Sequence, residues 1–191
     1  LAEQREPQSR GLLTVVVATA GIVCLADIYL GVMTPEAMNY DAMWSHLVIA
    51  QDYAREGRII PFPADYNKNV PHLASFLYTW AYLVPWLRLP LRWMLALHLE
   101  FTLFLWTLVA VAAAIRASVP DPRLRGTWVA FFLFPIIFVY DNNLGASADH
   151  VCGFFSVPLA LATLRMCERF RRSDAVLVAI VAAGALLTKY Q

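Results

Sequence analysis

Long apolar runs are the feature that most restricts what this chain can fold into. The first run, residues 11–33, provides roughly the 20 consecutive apolar residues needed to cross the hydrocarbon core of a bilayer. Of the 191 residues, 60% are hydrophobic and 15% are charged, which is typical of an integral membrane protein. The net charge of +1 and the scattered placement of single basic residues argue against a nucleic-acid partner.

The spacing of the runs predicts an all-α, polytopic membrane protein with about five transmembrane helices. A cytoplasmic tail, residues 1–10, precedes predicted spans at residues 11–33, 91–115, 127–140, 149–168 and 174–191. The sequence begins without Met and stops as the last run ends, so we expect it to be part of a longer chain.

Residues 72–86 are also apolar and aromatic, but this run is short for a crossing. If it does not cross, the arginines between the other spans gather on the cytoplasmic side, as the positive-inside rule requires. We therefore assign residues 34–90 to one large outer loop with amphipathic helices at the membrane surface.

The outer loop opens with residues 35–58, a polar and helix-forming stretch. Pro35 suits a first helical turn, and Gly57 suits a helix end. At about 100° per residue, the apolar residues gather on one side: Tyr40, Met43, Trp44, Leu47, Ala50 and Ala54. This pattern predicts an interfacial helix that holds Asp41 away from the lipid. An ordinary solvated acid is an equally good interpretation of Asp41.

Three other polar residues fall at the same membrane level in this topology. His46 shares the surface helix with Asp41, Asp149 opens the fourth span, and Lys189 closes the fifth. Charged groups in or beside spans are costly unless they pair or do chemistry. Purely structural roles stay open for two of them. An acid such as Asp149 is favoured at a helix N-terminus, and Lys189 can extend its ammonium to the headgroups.

Two further sets of polar or reactive residues carry less weight. His98 and Glu100 lie in the second predicted span near its outer boundary and are weaker candidates. The three cysteines, Cys24, Cys152 and Cys167, share no metal-ligand or redox spacing and suit buried thiols.

Four segments resemble, in order, those of one enzyme family. NYDAMWSHLVIAQDYAREGRI carries an acid after an aromatic residue, then a His-Leu pair and a final Gly-Arg-Ile, and VPHLASFLYTWAYL provides an aromatic helix. SADHVCGFFSVPLALATL places Asp149 at the mouth of a span, and LLTKY closes a span with Lys189 and Tyr190. The set resembles the bacterial GT-C glycosyltransferases, membrane enzymes that use polyprenyl-phosphate sugars. The family includes protein O-mannosyltransferases and aminoarabinose transferases. His150 stands where the family more often has an apolar residue.

The resemblance implies an inverting sugar transfer at the outer face of the bacterial inner membrane. Asp41 would act as general base on an acceptor hydroxyl. Asp149 would orient the acceptor or, together with Asp41, hold a divalent cation through oxygen ligands. The residues expected to bind the substrate or neutralise its phosphate are His46, Arg58, Lys68, Lys189 and Tyr190.

Two other classes of protein stay open on the sequence. One is a non-catalytic subunit derived from a GT-C-like protein, which would pack against other membrane subunits through small-residue faces such as residues 110–114. The other is a transporter fragment, which fits less well because the polar residues cluster at one face and not near the midplane.

Overall fold

A computed structural model describes residues 11–35, 38–63, 68, 72–131 and 144–189. This part of the chain is helical and contains no strand, so the all-α prediction is confirmed for it. A π-helical turn, Ala42–His46, precedes the second helix. The helices are α1 Leu12–Val32, α2 Leu47–Glu56, α3 Leu73–Leu83, α4 Leu89–Ser118, α5 Pro122–Phe131, α6 Asp149–Glu168 and α7 Arg172–Thr188.

Helices α1, α4 and α6 are long and apolar enough to cross a membrane. They contain 21, 30 and 20 residues, and only 17, 33 and 11% of their most apolar windows are buried within the chain. Apolar helices with so little internal burial turn most of their side chains outward, which is stable in lipid and unfavourable in water. These helices indicate a membrane protein, as the composition predicts.

The described residues contain three candidate spans, and the predicted count of five is not confirmed. The predicted third span, residues 127–140, begins within α5, but residues 132–140 lie outside the described part of the chain. The predicted fifth span corresponds to α7, which has 17 residues. At 1.5 Å per residue it is about 26 Å long, slightly less than the hydrocarbon thickness of about 30 Å.

The apolar run at residues 72–86 forms a short helix followed by a turn. Helix α3 has 11 residues, a length of about 16 Å or half the hydrocarbon thickness. The chain then turns through Trp86, whose φ is +70°, and enters α4 at Leu89. Helix α3 is therefore too short to cross a bilayer by itself.

Several helix ends meet at one end of the bundle, here called the loop end. One buried cluster contains Val32 from the end of α1, Leu97 from the first third of α4 and Val151 from the start of α6. The same cluster takes Leu47 from α2 and Tyr78 from α3. Helix α1 therefore runs toward the loop end, whereas α4 and α6 run away from it.

Helices α6 and α7 form an antiparallel hairpin that packs very closely. A Cβ atom at Gly184 would lie 2.5 Å from Cε1 of the Phe155 ring, so a larger residue there would require the ring or the helices to shift. The hairpin brings the end of α7 back to the start of α6 at the loop end.

The apolar stripe predicted for residues 35–58 is present only in its second half. Leu47 and Ala50 are buried, as a helix at 100° per residue requires. Three residues expected on the same side are exposed, namely Tyr40, Met43 and Trp44. The π-helical turn explains the difference, since its wider winding rotates the residues before it relative to α2.

Candidate functional site

A buried carboxylate from α4 holds the loop of residues 144–148, which leads into α6. Glu100 is fully buried and accepts hydrogen bonds from the N–H groups of Ala146 at 2.6 Å and Ser147 at 3.1 Å. It also accepts the Ser147 hydroxyl at 3.2 Å and Nδ1 of His150 at 2.7 Å. A carboxylate has the acceptor capacity for four donors, and bonds to a charged acceptor are strong. Glu100 thus fixes the loop and the first turn of α6, where Asp149 lies.

The bonds to Glu100 maintain an unfavourable backbone conformation in the loop. Ala146 is fully buried and has a φ of +61°, a left-handed conformation that costs on the order of 1 kcal/mol for a residue with a Cβ atom. From the other side, the Tyr78 hydroxyl donates to the carbonyl of Ser147 at 2.5 Å. Helices α3 and α4 therefore hold the loop between them.

The same loop also contacts the segment that precedes Asp41. The Asn39 N–H donates to the carbonyl of Gly145 at 3.3 Å. A Cβ atom at Gly145 would lie 2.7 Å from the Asn39 nitrogen, so this approach requires glycine. The side-chain oxygen of Asn39 accepts the N–H of Ala42 at 2.9 Å, as an N-cap residue does. The helix start that carries Asp41 is thereby fixed against the loop that leads to Asp149.

His46 lies among the polar residues that these contacts bring together. Its Nδ1 lies 3.2 Å from the Ser75 hydroxyl of α3. Burial is the main reason that the pKa of His46 falls from 6.5 to about 4. Neighbouring charges also act on this pKa: His72 and Lys189 lower it, and Asp41 and Asp149 raise it. One neutral imidazole is thus within electrostatic range of both candidate acids and of the lysine.

Asp149 and Lys189 form an ion pair that joins the start of α6 to the end of α7. The Lys189 Nζ lies 2.5 Å from Oδ1 of Asp149. The side chains are 64% exposed for Asp149 and 36% exposed for Lys189, so the pair contributes little to stability. It does keep a positive charge beside a carboxylate at the surface of the loop end.

Asp41 is exposed next to the π-helical turn. Its backbone carbonyl accepts the Ser45 hydroxyl at 2.8 Å. Within the described residues its carboxylate makes no hydrogen bond or ion pair, so both oxygens are accessible to an external donor. Asp41 and Asp149 therefore differ, since only the second is paired.

The other predicted site residues lie elsewhere or outside the described residues. Arg58 follows α2, and the helical segment between it and Asp41, Ala42–Glu56, is about 22 Å long at 1.5 Å per residue. Lys68 places its Nζ 5.5 Å from the centroid of the Phe62 ring. Tyr190 lies outside the described residues.

The residues that assemble this end of the molecule are only weakly indicated by the sequence. Glu100 is a weaker candidate there and His150 only a departure from the family's pattern, yet the two side chains bond to each other. The available signal was an acid inside an apolar span, which requires a partner in a neighbouring span. Asn39 and Gly145 carried no signal, because their contact depends on tertiary packing.

The site does not fit a divalent cation well. Within the described residues, no group of three His, Cys, Asp or Glu side chains is arranged to hold a metal ion. Asp41 and Asp149 would supply two oxygen ligands, but one oxygen of Asp149 already contacts the Lys189 ammonium. A cation there would have to displace this ammonium or be repelled by it.

Comparisons with protein-family models, with curated proteins and with solved structures found no match to this chain. The chemistry of the site therefore follows from its own groups. These are the open carboxylate of Asp41, the ion pair of Asp149 with Lys189, and the neutral imidazole of His46. An open carboxylate can accept a proton, and an ammonium beside it can neutralise an anion that forms or leaves.

Proposed function

We propose that this chain is a GT-C-like membrane glycosyltransferase, or the part of one that carries its catalytic acids. It transfers a sugar from polyprenyl phosphate to an acceptor hydroxyl at the outer face of the bacterial inner membrane. The observation that carries the proposal is that the contact between Asn39 and Gly145 holds the helix start with Asp41 against the loop that leads to the ion pair of Asp149 with Lys189. Segments far apart in sequence thus bring two acids and a cation to one end of the bundle, close enough to act on the pKa of His46, and such clusters mark candidate functional sites.

The proposed orientation follows from the arginines at the other end of the bundle. Arg116 is in the last turn of α4, Arg169 follows α6 and Arg172 begins α7. Because α4 and α6 run away from the loop end, these residues lie opposite the candidate site. The positive-inside rule then places them in the cytoplasm and the candidate site outside. Five crossings result if α5 continues to residue 140 and α7 spans with it.

The proposed reaction is a single displacement. Asp41 takes the proton of the acceptor hydroxyl while the oxygen attacks the anomeric carbon of the sugar. The bond between that carbon and the phosphate oxygen breaks, and its electron pair leaves with polyprenyl phosphate. Lys189 neutralises the negative charge that develops on the phosphate. Asp149 holds Lys189 in place and is available to orient the acceptor.

The surroundings of Asp41 suit this role as base. Its oxygens have no partner to displace within the described residues, so an acceptor hydroxyl can bond to them directly. His46 is neutral at pH 7 because its pKa is about 4, so it does not pair with the carboxylate as a cation. The positive charge of the site is then that of Lys189, which pairs with Asp149 and not with Asp41.

A transfer assay with an acid variant and a matched acid control tests the proposal. Membranes containing the chain are supplied with radiolabelled polyprenyl-phosphate hexose or pentose, and label in the acceptor fraction is measured. Asp41→Asn should lower transfer by about 10²–10⁴-fold, the usual contribution of a general base. Asp52→Asn is the control, because Asp52 lies on α2 and pairs with Arg55 at 3.1 Å. It should transfer at the wild-type rate.

Asp41→Asn should leave the melting temperature unchanged, since the carboxylate supports no contact within the described residues. Wild-type transfer rates in this variant would remove Asp41 from the mechanism. No transfer from any donor by the wild-type chain, with normal assembly into a larger membrane complex, would favour the non-catalytic subunit instead.

A further inference from the structure

Helix α3 has the reverse polarity of a helix that lies on a protein in water. Its inward face carries hydroxyl side chains that are at most 6% exposed: Ser75, Tyr78, Thr79 and Tyr82. Its outward face carries Phe76, Trp80 and Leu83, which are 41, 63 and 57% exposed. The outward residues are spaced by four and three positions, so they form one stripe along the helix. A helix in water would place these two sets the other way round.

Two of the four inward hydroxyls contact the candidate site, since Tyr78 donates to the carbonyl of Ser147 and Ser75 contacts His46. A third, that of Thr79, donates to the carbonyl of Ser75 in the same helix. Most of the polar face of α3 is therefore used within the protein. No side chain between residues 73 and 87 carries a charge, so nothing on this segment opposes contact with hydrocarbon.

The turn after α3 points to the same surroundings. Trp86 is 96% exposed and has a φ of +70°, at a position after Pro85 where this kind of turn favours glycine. Leu89 begins the span α4 three residues later, so Trp86 lies by connectivity where that span meets the membrane interface. Tryptophan is favoured at that depth because its ring is both apolar and a hydrogen-bond donor.

We propose that the outward stripe of α3, together with Trp86, is a lipid-contact surface inserted into the leaflet at the loop end. Helix α3 then forms a wall, with acyl chains on one side and the polar candidate site on the other. The neighbouring helix α2 behaves differently, since its exposed face carries Gln51, Arg55 and Glu56 and therefore faces water. This inference concerns the membrane position of α3 and does not depend on the proposed sugar transfer.

Spin labels at single cysteines test the position of α3 in a bilayer. Cys24, Cys152 and Cys167 are replaced by Ser, and one nitroxide is attached at residue 76, 80, 83 or 55. The chain is reconstituted in phosphatidylcholine vesicles, and collision rates with oxygen, which concentrates in hydrocarbon, and with a water-soluble nickel chelate are measured. Labels at 76, 80 and 83 should collide several-fold more with oxygen than with the chelate. The label at 55, on α2, should show the opposite order.

Three positions on α3 keep the test valid if one substitution, such as that of Trp80, prevents folding. A chelate rate above the oxygen rate at two of these positions would place α3 in water and overturn the proposal. Low rates with both reagents would mean that a second copy of the chain covers the stripe, and would overturn it as well.

Discussion

The His150 imidazole donates a hydrogen bond to the Glu100 carboxylate across 2.7 Å, in a position where both side chains are almost fully removed from solvent. This contact joins α4 to α6 within the apolar bundle. Because the same carboxylate binds the N–H groups of Ala146 and Ser147, the pair also positions the loop that leads to Asp149. The position of Asp149 in the candidate site therefore depends on Glu100, which is not itself part of the site.

Replacing Glu100 by Gln should destabilise the protein strongly. The amide has one acceptor oxygen in place of two, so at least one buried N–H or imidazole loses its partner. Removing one member of a buried, hydrogen-bonded pair costs about 3 kcal/mol, and the melting temperature in detergent should fall accordingly. Thr102→Val is the control on the same helix, because its hydroxyl bonds only the carbonyl of His98. Equal melting temperatures for the two variants would contradict the role assigned to Glu100.

Tyr78→Phe should have a smaller and more local effect. The variant keeps the buried ring and removes the hydroxyl that donates to Ser147. Loss of one buried hydrogen bond should lower the free energy of unfolding by about 1–2 kcal/mol. Hydrogen exchange should also become faster at residues 146–147. Tyr40→Phe, at a residue that is 76% exposed, should change neither measurement.

Gly145→Ala should move the loop that leads to Asp149 away from the segment that precedes Asp41. The added methyl group would lie 2.7 Å from the Asn39 nitrogen, which is backbone and cannot rotate away. Overpacking of this kind costs about 1–3 kcal/mol. Gly153→Ala is a matched control, because a Cβ atom there meets nothing within 4 Å and alanine favours the helix. A variant at residue 145 as stable as the one at residue 153 would disprove the close approach.

The stability of the protein should fall as His46 is protonated. The folded chain holds the pKa of His46 at about 4, against 6.5 in the unfolded chain, so the unfolded state binds the proton more tightly. The contribution of neutral His46 is complete above pH 6.5 and is lost as the pH falls toward 4, by at most about 3 kcal/mol. His46→Gln removes this titration, so the difference in unfolding free energy between wild type and variant should change between pH 7.5 and pH 4.5. A constant difference would show that His46 is not protected from protons.

The sequence was sufficient for features that depend on local periodicity. The apolar runs at α1, α4 and α6 predict helices of membrane length, since a span needs only length and apolarity. The surface stretch around residue 47 also predicts a helix, but not the π-helical turn before it. Asn39, just before that turn, bonds both the following helix and a loop more than 100 residues later in the chain, and periodicity contains no information on such contacts.

Tertiary contacts decide the rest of the site. Asp149 and Lys189 could be placed at one membrane level by counting helical rise, but their direct pairing depends on how α6 and α7 pack through Gly184 and Phe155. Similarly, Glu100 could be identified as an acid in a span, yet its partners come from a loop and a helix beginning more than 40 residues later. The length of the apolar run at residues 72–86 and the placement of the arginines predict a segment that does not cross, but which face of α3 is buried depends on partners such as His46 and Ser147.

The contact between residues 100 and 150 also bears on how the chain is made. The ribosome produces Glu100 fifty residues before it produces His150, so the nascent α4 enters the translocon with an acid that has no partner. We expect α4 to integrate stably only after α6 has emerged. In chains truncated before residue 150 and released from the ribosome, a single cysteine at residue 118 should therefore react with an impermeant thiol reagent from the loop-end side more often than in chains truncated after residue 170.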